Sequence, residues 1–483
     1  MAAFPGAKAV RRALLCGLAL VGLSAAPAMA DDLRDALVIA YKTNPNLQGA
    51  RAQQRAIDEN VVIERADGLP SASASANYAE VLKSTDLTGV SPDRQLSGSV
   101  SLAVPVYSGG AIRNSVRAAE TRVEAGQADL RATESAVFSQ VVATYMDVIQ
   151  NEAIVGLNQK NVSVLQINLQ ATSDRFEIGD LTRTDVAQSQ ARLALARGDA
   201  RSAEANLIGS RERYLQVVGK APADLQPPPP LPGLPVTTDE AVGVALESNP
   251  DLIAARERSR AANIDIDVAG STRMPRVEVF TSGSYNDSLG SGLPRPTIST
   301  TGATAGIRAT IPLFQGGRPA ALERQAQSRA AATLENEIAI ERDVIAQVRS
   351  AYASWRAAND VIVSTQTAVD AAALSLEGVR AENTVGNRTI LNILDAEQEL
   401  LRARVQLVVA RRNAYVAGFT LLAAMGKAEA RDLGLDGGIL YDPAVNYQRV
   451  RGKIWDWASD PDPVAQSTRT VDIPAPDSST RPQ

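Results

Sequence analysis

The sequence predicts an α+β chain built from one structural unit used twice. Three observations predict it. The stretch from Asp35 to Gly219 is restated from Glu240 to Gly426. Each copy holds a pair of segments in which apolar residues alternate with polar or small ones. Each copy then continues into a long stretch with apolar residues every seven positions. Self-similarity over half a chain marks a supersecondary unit repeated. Asn44-Pro45 returns as Asn249-Pro250, and Pro70 as Pro275, 205 residues later. Pro105 to Gly110 returns as Pro312 to Gly317, Tyr145 as Tyr352 and Gly179 as Gly386, all 207 residues later. A loop between Pro70 and Pro105 therefore differs in length between the copies.

The first element is a targeting segment. Lys8, Arg11 and Arg12 precede the apolar run Leu14–Ala25, and Ala28-Met29-Ala30 is a small-x-small cleavage site. Residues 1–30 read as a signal peptide for general secretion. The lone Cys16 sits too early in that run for a lipoprotein cysteine, so the mature chain is expected to carry no thiol. With no His either, metal sites, thiol chemistry and imidazole catalysis find no support, and no cofactor is expected. The net charge is −5, without a basic block, which argues against a nucleic-acid partner. Aromatic residues make up only 4%. Ala, Leu, Val, Gln, Arg and Glu dominate, as in long helices.

Each repeat opens with a helix, over 33–66 and 238–271. Asn44-Pro45 and Asn249-Pro250 should break or kink these helices, because Pro lacks the backbone donor and disfavours helix before it. The period then changes to two. Val100, Leu102, Val104 and Val106 alternate with Ser99, Ser101, Ala103 and Pro105. Ala303, Ala305, Ile307, Ala309 and Ile311 alternate with Thr304, Gly306, Arg308 and Thr310. These predict strand pairs at about 71–83 with 96–107, and 276–287 with 299–314. Pro105 and Pro312 should end strands. Gly109, Gly110, Gly316 and Gly317 should allow the turn into the next helix.

From Ala111 onward the period is helical. Val116, Val123, Leu130 and Val137 are seven apart; after a step of four, Val141 to Phe176 resumes the seven-residue spacing. That is a coiled-coil seam with a stutter. Val348, Trp355, Ile362, Val369 and Leu376 repeat it. Gly179 and Gly386 mark turns, after which a second helix returns to about Val218 and Ala424. The expected organisation is a first repeat over 31–225, a Pro-rich linker over 226–237, a second repeat over 238–428, and a C-terminal tail over 429–483 that is partly disordered.

Four strands cannot close a barrel, and an open sheet edge cannot face lipid. Either the strands pack on helices or several chains pool them. The strands are long enough, at about 9–11 residues, to cross an outer membrane, and three chains would supply 12. Long heptad hairpins must likewise pack beside others.

Particular motifs sharpen this reading: Tyr41-Lys-Thr-Asn-Pro45, the Pro-x-aromatic-x-Gly-Gly segments at Pro105 and Pro312, and Val385-Gly386-Asn387-Arg388-Thr389-Ile390 followed by Ile393-Leu394-Asp395-Ala396. Through them the chain resembles the TolC family of trimeric outer-membrane exit ducts, over about residues 31–430. The resemblance implies a homotrimer with a 12-stranded outer-membrane β-barrel, four strands per chain. A long α-helical coiled-coil tunnel would continue it into the periplasm. It implies contact with outer-membrane lipid. It also implies docking through a periplasmic adaptor (membrane fusion) protein to an inner-membrane ABC or proton-driven pump, for protein secretion or efflux of toxic compounds. It places the turns at Gly179 and Gly386 at the periplasmic entrance. It assigns Arg388, Asp185 and Thr184 to the closed gate, and Asp395 and Asn392 to the pore constriction. Three Asp395 carboxylates around one axis would attract cations. Two residues depart from the family pattern: Asn383 stands where Tyr is common, and Asn392 where a second Asp is common. The competing reading is a non-pore periplasmic coiled-coil adaptor or scaffold. A secreted enzyme stands further off, with no nucleophile–base pair or phosphate loop in view.

Overall fold

The computed structural model describes residues 32–83, 94–289, 299–435 and 440–479. The expected signal peptide and most of the two strand-connecting loops lie outside the described residues. The chain begins with α1 (Leu33–Thr43) and α2 (Pro45–Ala66), divided at Asn44-Pro45 as expected. Strands β1 (Ser71–Glu80) and β2 (Arg94–Tyr107) follow, then α3 (Ala111–Glu177) and α4 (Arg183–Val218). The second repeat runs α5 (Thr238–Ser248), α6 (Pro250–Gly270), β3 (Arg276–Leu289), β4 (Ser299–Thr310), α7 (Arg318–Thr384) and α8 (Ile390–Ala424). A short α9 (Pro443–Val450) lies in the tail. Helices α3 and α7 each have 67 residues, or about 100 Å at 1.5 Å per residue.

The strands form one antiparallel sheet in the order β1-β2-β3-β4, so the central pairing of β2 with β3 joins the two repeats. The register sorts the two faces. Val100 lies opposite Ala74 and Gly283, and Val279 opposite Val104 and Ile307, giving one apolar face that is exposed within the chain. The other face is polar. Ser73 meets Ser101, Ser75 meets Ser99 and Ser282 meets Thr304, each at 2.8 Å. Arg308 belongs to this face, donating to Glu278 at 2.6 Å and lying 4.6 Å from the Phe280 ring.

Strand β2 ends at Tyr107, where the alternation placed its end, so Pro105 does not itself end the strand. The register breaks between Pro105 and Tyr107. Pro105 sits at this bulge, a place where a missing backbone donor is tolerated. Strand β4 stops at Thr310, short of the expected 314, and Pro312, which has no backbone donor, lies beyond it. Gly110 and Gly317 cap α3 and α7 with φ of 87° and 83°, a left-handed geometry that favours Gly.

The two short helix pairs lie end to end with the returning hairpin helices, and one residue makes each joint. Asn44 Oδ1 accepts the backbone N–H groups of Asn46 and Leu47, capping α2, while Nδ2 donates to the carbonyl of Val217 at the end of α4. Asn249 does the same for α6 and for Ala424 of α8. Both side chains are buried. A single amide thus satisfies orphan groups at two helix ends. The linker is held equally symmetrically. The hydroxyl of Tyr145 donates to Gln226 O and that of Tyr352 to Val236 O, both at 2.6 Å.

The repeats differ in burial. Helix α3 packs against α2, α4, α6 and α8, and its seam is buried from Val123 to Val155. Helix α7 buries only Ala330, Val344, Val348, Tyr352 and Leu376, and leaves Leu334, Ile338, Val361, Val363 and Leu374 exposed. One long face of α7 is therefore open within the chain.

Candidate functional site at the helical hairpin tips

The α3–α4 and α7–α8 turns use the same local solution. Gly179 and Gly386 both have φ of 81°. Asp180 N–H reaches back to Arg175 O, and Asn387 N–H to Glu382 O, both at 2.9 Å. This six-to-one bond ends a helix through a left-handed Gly. The following helix starts with a reciprocal capping box. Thr182 and Asp185 form it in the first turn, Thr389 and Asn392 in the second. Asp185 accepts from the Thr182 backbone N–H at 2.9 Å and its hydroxyl at 2.7 Å. Those two donors hold its carboxyl below the usual carboxylate range. Asn392 Oδ1 accepts the same pair from Thr389, at 3.1 and 2.9 Å. Asp185 and Asn392 are thus equivalent residues in equivalent caps, a relation the 207-residue spacing carries but the sequence reading split between gate and constriction.

Charge is where the tips part. In the first, Arg175 bridges to Asp180 at 2.6 Å. In the second, the position of Arg175 is taken by Glu382, and Arg388 Nε donates to it at 2.6 Å. The Arg388 carbonyl accepts from Asn383 Nδ2 at 2.7 Å. Arg388, Thr184 and Asp395 are exposed. Among the described residues, no hydrogen bond or ion pair joins Arg388 to Asp185 or Thr184 within one chain.

The tips are fastened together one turn further in. Ile393 packs with Leu376 and Leu400 of its own hairpin. Leu394 crosses to Leu165, Leu193 and Ala196 of the first hairpin. Asp395, next in sequence, meets Arg192 Nη2 of α4 at 2.6 Å. Sequence reasoning missed Arg192. It is 203 residues from its partner and occupies no position equivalent to it, so only the packing of Leu394 reveals the pair.

Known proteins place this geometry. A family model described as outer membrane efflux protein matches residues 36–220 and 241–427, one match per repeat. The chain belongs to that family. Outer membrane efflux protein BepC of Brucella suis is 32% identical over 454 residues, covering 93% of this chain and 96% of that protein. The alkaline protease secretion protein AprF of Pseudomonas aeruginosa is 24% identical, covering 84% of this chain and 87% of its own. The Campylobacter jejuni CmeC outer membrane channel superposes with a TM-score of 0.72 at 15% identity, over 87% of this chain and 89% of that one. The chain is accordingly an outer-membrane export channel that extends into the periplasm, and the non-pore adaptor reading gives way. Among the described residues no helix is long and apolar enough to cross a membrane.

Proposed function

We propose that three copies close their sheets into one 12-stranded barrel, and that the helices form a periplasmic duct for a tripartite exporter. The observation that carries this is the pair of free edges. Among the described residues, strands β1 and β4 each pair on one side only, and unpaired backbone groups cannot face hydrocarbon. Joining β4 of one copy to β1 of the next removes every edge and turns the apolar face outward. Aromatic residues fit the same picture. Tyr107 lies at the helix end of the sheet, while Tyr78 and Tyr285 lie near its far end. Tyr285 faces Gly98 and Tyr78 faces Leu96, on the same strand as Tyr107, so the two levels are roughly 30–35 Å apart along the tilted strand. The open face of α7 gives neighbouring copies a second seam.

In this reading the duct receives cargo from an inner-membrane pump through a periplasmic adaptor, and the hairpin tips are its entrance. Arg388 is the gate residue. It directly precedes Thr389, the N-cap of α8, where the positive end of the helix disfavours a cation. A cation kept there against local preference, half exposed and held by Glu382, is suited to trade that partner for a carbonyl or carboxylate on an adjacent copy. At the constriction, Arg192 neutralises Asp395 and Asn392 carries no charge, so the ring attracts cations less than three bare carboxylates would. Purified full-length protein tests the reading. A heat-modifiable trimer from the outer-membrane fraction that conducts in planar bilayers is expected. A monomer that neither enters that fraction nor conducts contradicts it.

A further inference from the structure

The tail follows a course that a duct does not require. Tyr441 N–H donates to the Tyr41 hydroxyl at 2.9 Å, and the Arg51 guanidinium lies between the two rings, 4.3 Å from Tyr41 and 4.8 Å from Tyr441. Asn446 of α9 donates to the buried Asp58 of α2 at 2.7 Å. Arg65, in the last turn of α2, donates to the carbonyls of Arg451 and Lys453. The tail has by then climbed α2 to the end nearest the sheet, because α2 stops at Ala66 and β1 starts at Ser71. There it reverses. Ala458 N–H donates to Trp455 O at 3.1 Å. Asp460 returns onto Arg449 at 2.7 Å and Lys453 at 3.3 Å. The chain then descends to Thr468, whose hydroxyl meets Gly219 O at 3.5 Å beside the α2–α4 joint, and to Asp477, which meets Arg211 of α4.

The apex of this loop is Ile454-Trp455-Asp456-Trp457. Its apolar side chains are uncovered: Ile454 is 73% exposed, Trp455 71% and Trp457 85%. The chain has three Trp, and two of them stand here. The apex directly follows the residues that Arg65 holds, which puts it at the level of the α2–β1 junction, where the sheet begins. The exposed Tyr107, Leu313 and Phe314 mark that level at the strand–helix junctions. In an outer-membrane channel, this is the boundary between hydrocarbon and the periplasmic headgroups. Indoles favour that boundary, since the ring is apolar and its N–H keeps a polar partner.

We propose that the Ile454–Trp457 apex is an interfacial anchor that seats both indoles among the phospholipid headgroups of the periplasmic leaflet. The neighbouring cations do not carry the attachment, since Arg449 and Lys453 are paired with Asp460, Arg65 holds backbone carbonyls and the Arg451 guanidinium lies over the Tyr447 ring. Indole burial does, so the attachment should be insensitive to salt.

The test uses the full-length channel in vesicles of phosphatidylethanolamine and phosphatidylglycerol with brominated acyl chains. The wild type and Trp355→Phe should lose most of their indole emission relative to unbrominated vesicles, at low and high salt alike. The Trp455→Ser/Trp457→Ser double variant should lose that quenching and conduct like the wild type. Emission quenched by aqueous iodide but not by bromine would overturn the anchor. Blue-shifted emission that bromine leaves untouched would place the indoles against protein, such as a second copy, and would also overturn it. If Trp355→Phe fails to fold, the difference between the wild type and the double variant gives the same answer. A wild type that does not conduct would count against the duct and leave the quenching result standing.

Discussion

The two hairpin tips share a backbone and oppose each other in charge. Gly179 and Gly386 have the same φ, and both following helices open with a Thr capping box. Yet Arg175 and Glu382 occupy equivalent positions with opposite sign, each paired to a residue across its own turn. Duplication has kept what the backbone demands and released what it does not. Arg388, which stands where the first tip has Leu181, is a charge that local helix energetics do not favour, and that is the reason to look for its work outside its own chain.

The largest effects should fall where the repeats agree. Asn44→Ala and Asn249→Ala each remove a cap and leave buried groups without partners, at a cost of about 2–3 kcal/mol. Thermal unfolding should report similar losses for the two; one silent substitution would show that the joints are not equivalent. Smaller effects should come from the caps themselves. Thr182→Ala and Thr389→Ala should each destabilise by about 1 kcal/mol, read in the same way. Smaller again is the Arg192–Asp395 pair. Being partly exposed, it should contribute well under about 1 kcal/mol, so Arg192→Gln should leave unfolding unchanged. In a bilayer under a salt gradient, however, that variant should shift the reversal potential toward cation selectivity and strengthen block by divalent cations. An unchanged potential would remove Asp395 from the conduction path. The smallest effect distinguishes the caps by pH. The Asp185 carboxyl titrates below its unfolded value, so its contribution is full above the ordinary carboxylate range and is lost as pH falls through the lowered value. Asn392 does not titrate. Thr182→Ala should therefore cost less in acid than at neutral pH, while Thr389→Ala costs the same at both.

Much of this was legible in the sequence, for physical reasons. The heptad spacing of Val116 to Phe176 and the alternation around Val100 are periodic, and period fixes which face a residue takes. Asn44-Pro45 announced a break, because Pro cannot donate. What stayed hidden was non-local. No spacing announces that Asn44 also caps α4, or that β2 pairs with β3 across the repeats. Arg192 was invisible for the same reason. The bulge at Pro105 was hidden because a proline ends many strands, and only the partner register shows where the ladder shifts. In the tail, low hydropathy and Pro–Asp–Ser content masked a path fixed by single side chains such as Arg65 and Asp460.

Arg388 of the second tip is the residue proposed to gate the duct, whereas Arg175 of the first is paired within its own turn to Asp180. Single-channel conductance of Arg388→Ala and Arg175→Ala, measured side by side in planar bilayers, tests that gating role most directly. Arg388→Ala should raise the conductance, and Arg175→Ala should leave it at the wild-type value. An unchanged Arg388→Ala channel, or an equal rise in both, would contradict that role.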